Sequence, residues 1–130
     1  MDTARVVKDV LRRDDVVMVK QNEPLKNISK LLIEKRISNV PIVNNKNELV
    51  GIVSEKDIIM AMDRRDFNKK RACDVMTKDV FFVKENDALE YVAKIFIEKS
   101  YRRIPVVKEN RIVGVVTRND IINSFLSGYY

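Results

Sequence analysis

Two short stretches place a hydroxyl residue three positions ahead of an aspartate: Ser54-Glu55-Lys56-Asp57 and Thr117-Arg118-Asn119-Asp120. An ionised carboxylate only accepts hydrogen bonds, so such an aspartate can take both hydroxyl hydrogens of a ribose. At a helix start, the hydroxyl and the free backbone N–H groups beside it suit a phosphate. The same spacing also fits a helix capping box, with aspartate standing in for the usual glutamate or glutamine. Taken locally, capping is the plainer role. Aspartate is short for that box, which would leave it freer to face a ligand.

Each acid sits in a longer stretch that occurs twice. Gly51-Ile52-Val53-Ser54-Glu55-Lys56-Asp57-Ile58-Ile59 is matched by Gly114-Val115-Val116-Thr117-Arg118-Asn119-Asp120-Ile121-Ile122. Gly51 to Gly114 is 63 residues, as is Asp57 to Asp120, whereas Pro41 to Pro105 and Leu25 to Leu89 are both 64. The difference falls where Asn44-Asn45-Lys46-Asn47 faces Lys108-Glu109-Asn110, and loop tips are where length changes are tolerated. Agreement also holds between Ile33-Glu34-Lys35 and Ile97-Glu98-Lys99, and between Val40-Pro41-Ile42-Val43 and Ile104-Pro105-Val106-Val107. The chain is a tandem duplication, and the repeat decides the fold before any local pattern does.

The elements that must position the acids follow in order. Val6, Val7, Val10 and Leu11 have helix-like spacing in a charged lead-in over 1–13, and Asp9-Val10-Leu11 resembles Asp74-Val75-Met76. Val16-Val17-Met18-Val19 and Val80-Phe81-Phe82-Val83 are predicted strands. Asn22-Glu23-Pro24-Leu25 and Asn86-Asp87-Ala88-Leu89 read as helix starts, with polar caps and Pro24 near the first helical position. Leu25, Ile28, Leu31 and Leu32 then share a face, as do Leu89, Val92, Ala93 and Phe96. These helices should stop near Lys35-Arg36 and Lys99-Ser100, where cations suit a C-terminus. A hairpin follows in each half, opened by proline at a strand start and closed by the glycine strand. An apolar helix then begins at each aspartate, the last one ending at Gly128. Each half is thus β-α-β-β-α, an α+β fold of two repeats packed as a pseudo-twofold pair. The division expected is 1–65 for the first repeat with its lead-in, and 66–130 for the second with the charged linker 64–73 at its start. Halves of this size are marginal alone, so a shared core is expected. Met60, Met62 and Phe125 are expected in that core or at a dimer interface.

Composition closes off much chemistry. There is no histidine and one cysteine, Cys73, in 130 residues. Histidine-based nucleophile systems are therefore excluded, and zinc centres lack their usual ligands. No catalytic residue and no metal site are expected, and the chain is not read as an enzyme. A nucleotide hydrolysis through Asp57 or Asp120 with magnesium is the one reaction the side chains leave conceivable. The start Met1-Asp2-Thr3-Ala4 is not that of a secretory signal, no apolar run approaches a membrane span, and an unpaired cysteine fits a reducing cytoplasm. Lys and Arg total 25 against 19 Asp and Glu, a net +6, which favours anionic partners such as nucleotides or nucleic acid.

On these residues the chain resembles a tandem pair of cystathionine-β-synthase-type (CBS) domains, the Bateman module. The resemblance rests on Val40-Pro41 and Ile104-Pro105, on the strands bearing Gly51 and Gly114, and on Ser54-x-x-Asp57 with Thr117-x-x-Asp120, over about 9–127. It implies a stand-alone regulatory module that binds AMP, ADP, ATP or S-adenosylmethionine in two clefts between the repeats. It further implies a homodimer and an unidentified regulated protein. By position, one cleft would combine Asp57 and Ser54 with Met76, Phe81, Arg102, Arg103, Ile104 and Pro105. The other would combine Asp120 and Thr117 with Leu11, Val17, Ser38, Asn39, Val40 and Pro41. Arg102 and Arg103 stand where the other set has Ser38 and Asn39, so the Asp57 cleft is expected to take the more highly charged ligand. Arg118, at Glu55's position, would partly compensate beside Asp120. The alternative is a nucleic-acid-binding CBS protein using its basic surface, with binding that weakens steeply as salt rises.

Overall fold

The computed structural model describes residues 5–14 and 16–127; the start at 1–4, Asp15 of the pair Asp14-Asp15, and Gly128 with the tail lie outside them. The chain forms two compact units. The first-hairpin unit is Val17–Val80, and the second-hairpin unit holds the described residues of Met1–Val16 and Phe81–Tyr130.

In the first-hairpin unit, β1 (Val19–Lys20) runs parallel to β2 (Asn39–Val43), which pairs antiparallel with β3 (Leu49–Ser54). Helices α1 (Leu25–Lys35) and α2 (Glu55–Asp63) follow β1 and β3. Leu25, Ile28 and Leu32 of α1 meet Val40, Ile42, Val53, Ile58 and Ala61 in one apolar core. The short helix α3 (Ala72–Val75) adds Ala72 to it.

The second-hairpin unit repeats the plan with β4 (Arg103–Lys108), β5 (Arg111–Thr117), α4 (Leu89–Glu98) and α5 (Arg118–Leu126). Its core joins Val7, Val83, Leu89, Val92, Ile104, Val106 and Val116. The expected strand at 80–83 reduces here to a single parallel bridge from Val83 to Val106, and its counterpart at 16–19 begins only at Val19. Pairing involves Val19 and Lys20 in one unit and Val83 in the other, and the rest of each apolar run stays outside regular structure.

The hairpins share a bulge. Ile42 lies opposite Gly51 and Val43 opposite Leu49, which leaves Val50 over; Val106 lies opposite Gly114 and Val107 opposite Ile112, which leaves Val113 over. The tips account for the odd residue in the repeat. Glu109 (φ 52) and Asn110 (φ 69) form a two-residue loop with both φ positive, the turn whose twist matches the flanking strands. The longer first tip is built on Asn44, whose Oδ1 accepts the N–H groups of Lys46 and Glu48 at 2.9 and 3.0 Å.

Each hairpin unit takes its lead-in from the other copy of the repeat, so repeat and compact unit are offset by one segment. Residues 64–73 are accordingly no free linker: Phe67 and Ala72 pack on the first core. Among the described residues the lead-in forms a 3₁₀ turn, Val7–Asp9, where its helix-like spacing pointed to a short helix, with Val7 fully buried. Each lead-in then pairs with its hairpin through a pair of backbone hydrogen bonds. Thr77 and Ile52 exchange two hydrogen bonds of 2.9 Å, and so do Arg12 and Val115. The lead-ins also cap the helices. Leu25 N–H donates to the Lys70 carbonyl at 3.1 Å and Leu89 N–H to the Arg5 carbonyl at 3.0 Å. The residues at the cap positions are Pro24 and Ala88, without side-chain caps, so the polar caps expected at these starts are replaced by backbone carbonyls. Met60, Met62 and Phe125 are exposed, which removes them from either core. Among the described residues no helix is long and apolar enough to cross a membrane.

The repeated glycines make room for the lead-ins. A Cβ at Gly51 would stand 2.5 Å from Met76 Sδ and 2.7 Å from its Cγ. A Cβ at Gly114 would stand 2.7 Å from the Arg12 carbonyl oxygen and against Leu11 Cδ1. A flexible methionine can yield, whereas backbone held in a bridge cannot. Gly114→Ala is therefore expected to cost about 2–3 kcal/mol and Gly51→Ala about 1 kcal/mol, from the usual range for overpacking. Urea unfolding of both variants, with Gly51→Ala/Met76→Ala to relieve the smaller clash, checks the ranking; equal losses would contradict it.

Candidate functional site

The two acids stand at equivalent corners, where the glycine strand of each unit turns into a helix. At the first, Ser54 N–H donates to Asp57 Oδ2 at 2.8 Å and Ser54 Oγ donates to the same oxygen at 3.0 Å. Asp57 N–H returns to Ser54 Oγ at 3.4 Å, so the box is closed. At the second, Thr117 N–H donates to Asp120 Oδ2 at 2.7 Å and Asp120 N–H to Thr117 Oγ1 at 3.3 Å. Capping, the plainer local role, is what both acids perform, and the shorter side chain does not keep either from closing the box. The extended conformation of Ser54 (φ −113°, ψ 167°) and Thr117 (φ −119°, ψ 168°) brings their N–H groups within reach of the shorter side chain.

The boxes leave the two carboxylates in different states. Asp57 is half-buried, and its Oδ1 has no hydrogen-bond partner among the described residues. Asp120 is 7% exposed, and its Oδ1 accepts from Arg12 Nε at 2.9 Å, an ion pair with a 45% exposed guanidinium. The residue of the second lead-in that pairs with the hairpin as Arg12 does is Thr77, which brings no charge to Asp57. Sequence reasoning missed Arg12. The signal was available in the repeat, because Asp9-Val10-Leu11 matches Asp74-Val75-Met76 and the next residues are Arg12 and Thr77.

The helix N-termini offer phosphate less than a bare helix start would. Besides the box donors, Glu55 N–H donates to the Ser38 carbonyl at 2.9 Å and Arg118 N–H to the Arg102 carbonyl at 3.4 Å. The first-hairpin unit gathers Ser54, Asp57, Ser38, Asn39 and Pro41 around one corner, with Asn39 opposite Ser54 and Pro41 opposite Ile52. Met76 lies against Gly51, and Val17 packs at the edge of the core. The second-hairpin unit gathers Thr117, Asp120, Arg102 and Arg103, with Arg103 opposite Thr117. There Leu11 lies against Gly114, and Phe81 stacks on Tyr101 at 5.5 Å between ring centroids. Val40, Ile104 and Pro105 are buried in their own units, so their backbone is what they can present. Arg118 does not turn to Asp120, since its Nε donates to the Tyr101 carbonyl at 2.9 Å. The side chains of Arg102 and Arg103 make no hydrogen bond or ion pair among the described residues.

The CBS domain family model matches this chain twice, over residues 7–64 and 72–127. The chain belongs to the CBS domain family, as a CBS domain pair. It is similar to protein MJ1225 of Methanocaldococcus jannaschii, at 32% identity over 117 residues; the match covers 89% of this chain and 41% of that relative, so the chain spans less than half of its length. Among solved structures it is similar to the CBS domain pair of protein MJ0100 in complex with 5′-methylthioadenosine and S-adenosyl-L-methionine, at 29% identity and TM-score 0.74, covering 96% of this chain and 98% of that one. It is also similar to CBSX2 from Arabidopsis thaliana in complex with AMP, at 28% identity and TM-score 0.78, covering 94% and 96%.

The unequal acids should be visible in stability. Asp57→Ala removes a cap, a loss of about 1 kcal/mol. Asp120→Ala removes a cap and a charge-assisted bond to a half-exposed arginine, and should cost about 2 kcal/mol. Urea midpoints of the two variants measure the gap, and a larger loss for Asp57→Ala would contradict the assignment.

Proposed function

We propose that this CBS pair is a regulatory sensor of adenosine-containing ligands, AMP, ADP, ATP or S-adenosylmethionine, with Asp57 and Asp120 as ribose acceptors. The observation that carries the proposal is the Asp57 carboxylate. One of its oxygens is fixed by Ser54 while the other has no partner among the described residues. An acceptor already oriented loses little freedom when it meets a ribose hydroxyl, so more of the interaction appears as affinity. The adenosine ligands of the MJ0100 pair and of CBSX2 support the same class of ligand. Arg102 and Arg103, whose side chains have no hydrogen-bond or ion-pair partner among the described residues, supply phosphate-binding guanidiniums. Phe81, Met76, Leu11 and Val17 supply apolar surface for a purine, and Ser54, Thr117, Ser38, Asn39, Val40, Pro41, Ile104 and Pro105 supply hydroxyl, amide and backbone groups for its polar edges.

Regulation then works by population shift, in which the ligand favours one arrangement of the module over another and changes how it engages a protein partner. The partner-facing form is a homodimer. Ile59 and Ile122, and Met62 and Phe125, are exposed apolar residues at matching positions of α2 and α5, as a self-associating surface requires.

Calorimetric titration of ligand-free protein with AMP, ATP and S-adenosylmethionine tests the proposal. Saturable binding is expected with at least one of them, weakened about 10-fold or more by Asp57→Ala through loss of a charged acceptor. Absence of both heat and thermal stabilisation with all three would overturn it.

A further inference from the structure

The Asp57 and Asp120 corners share one backbone plan, and among the described residues only the Asp120 corner brings a cation to its acid. At Asp120 the oxygen equivalent to the open one of Asp57 is already held by Arg12 Nε at 2.9 Å, on a carboxylate that is 7% exposed. A guanidinium N–H and a ribose O–H are the same kind of partner to a carboxylate, a donor seeking the same lone pairs. A carboxylate oxygen can accept two such bonds, but on a carboxylate that is 7% exposed the guanidinium occupies the approach to Oδ1 that a ribose would need. We propose that Arg12 acts as an internal occupant of the Asp120 site, closing it to ribose until the guanidinium is displaced, so that the two repeats bind with unequal affinity and Asp57 fills first. The inference rests on the adenosine-binding function proposed above and adds to it an order of filling and a specificity-determining residue.

The lead-in is suited to this task. Arg12 is fixed in place by its own N–H and carbonyl, both bonded to Val115 at 2.9 Å, and these backbone bonds do not depend on the partner of its side chain. Thr77, its equivalent, holds Ile52 by the same two bonds and is too short and uncharged to occupy Asp57.

The test isolates the Asp120 site in an Asp57→Ala chain and titrates it with AMP by calorimetry. Adding Arg12→Thr, or Arg12→Gln to keep side-chain length, is expected to tighten AMP binding about 10-fold or more, the scale of one charge-assisted hydrogen bond. Unchanged, undetectable or weaker AMP binding in both Arg12 variants, while the unaltered protein binds AMP, overturns the inference; weaker binding would make Arg12 a ligand contact instead. Failure of the unaltered protein to bind AMP, ATP or S-adenosylmethionine overturns the adenosine reading, and this one with it.

Discussion

A lead-in segment can pair with a hairpin here only because the hairpin lacks a side chain where the two cross. Gly51 and Gly114 sit under Met76 and under Leu11 and Arg12, at separations a Cβ would violate. Once that crossing is allowed, several features follow from it. The lead-in backbone saturates the exposed strand edge at Ile52 and Val115, its carbonyls cap the starts of α1 and α4, and its apolar residues Ala72 and Val7 complete the cores. Each of these replaces a device the local sequence lacks. Pro24 and Ala88 cannot cap a helix with their side chains, and a two-stranded hairpin is marginal without further partners.

Because each lead-in comes from the other copy, neither repeat completes a core with its own residues alone. The second-hairpin unit needs Val7 from the first copy, and the first-hairpin unit needs Ala72 from the second. A half of roughly 60 residues is close to the lower limit for independent folding, and the exchange ties each half's stability to the presence of the other.

Much of this was legible in the sequence because it is periodic or punctuated. The duplication, the β-α-β-β-α order, the hairpins opened by proline and the acid at each helix start all follow from spacing. What was not legible depends on contacts distant in sequence. The charges of 64–73 marked it as a linker and gave no sign that Ala72 enters the core and Phe67 packs against it. The apolar runs 16–19 and 80–83 looked like full strands, but pairing stops after one or two residues. Asp57 and Asp120 stand at matching helix starts and perform the capping that was their plainer local reading, and they close the box fully because the reach of a carboxylate depends on the backbone angle of the residue it caps. Arg12 was passed over because a charged residue in a charged lead-in carries no local mark; its meaning comes from Val115, which sets it beside Asp120.

Pairing through backbone hydrogen bonds has a consequence for how such a site can change. The position occupied by Arg12 in one copy and Thr77 in the other must keep its N–H and carbonyl aimed at the hairpin, but nothing in the pairing constrains its side chain. The acid beside it is equally constrained by the capping box, which uses Oδ2 and leaves Oδ1 uncommitted. The fold thus fixes one half of each carboxylate and leaves the other half to whatever the lead-in presents. A cation there satisfies the acid internally, and a threonine leaves it open to a donor from outside. Such a substitution changes which donor meets Oδ1 while leaving the backbone pairing and the Oδ2 half of the box in place.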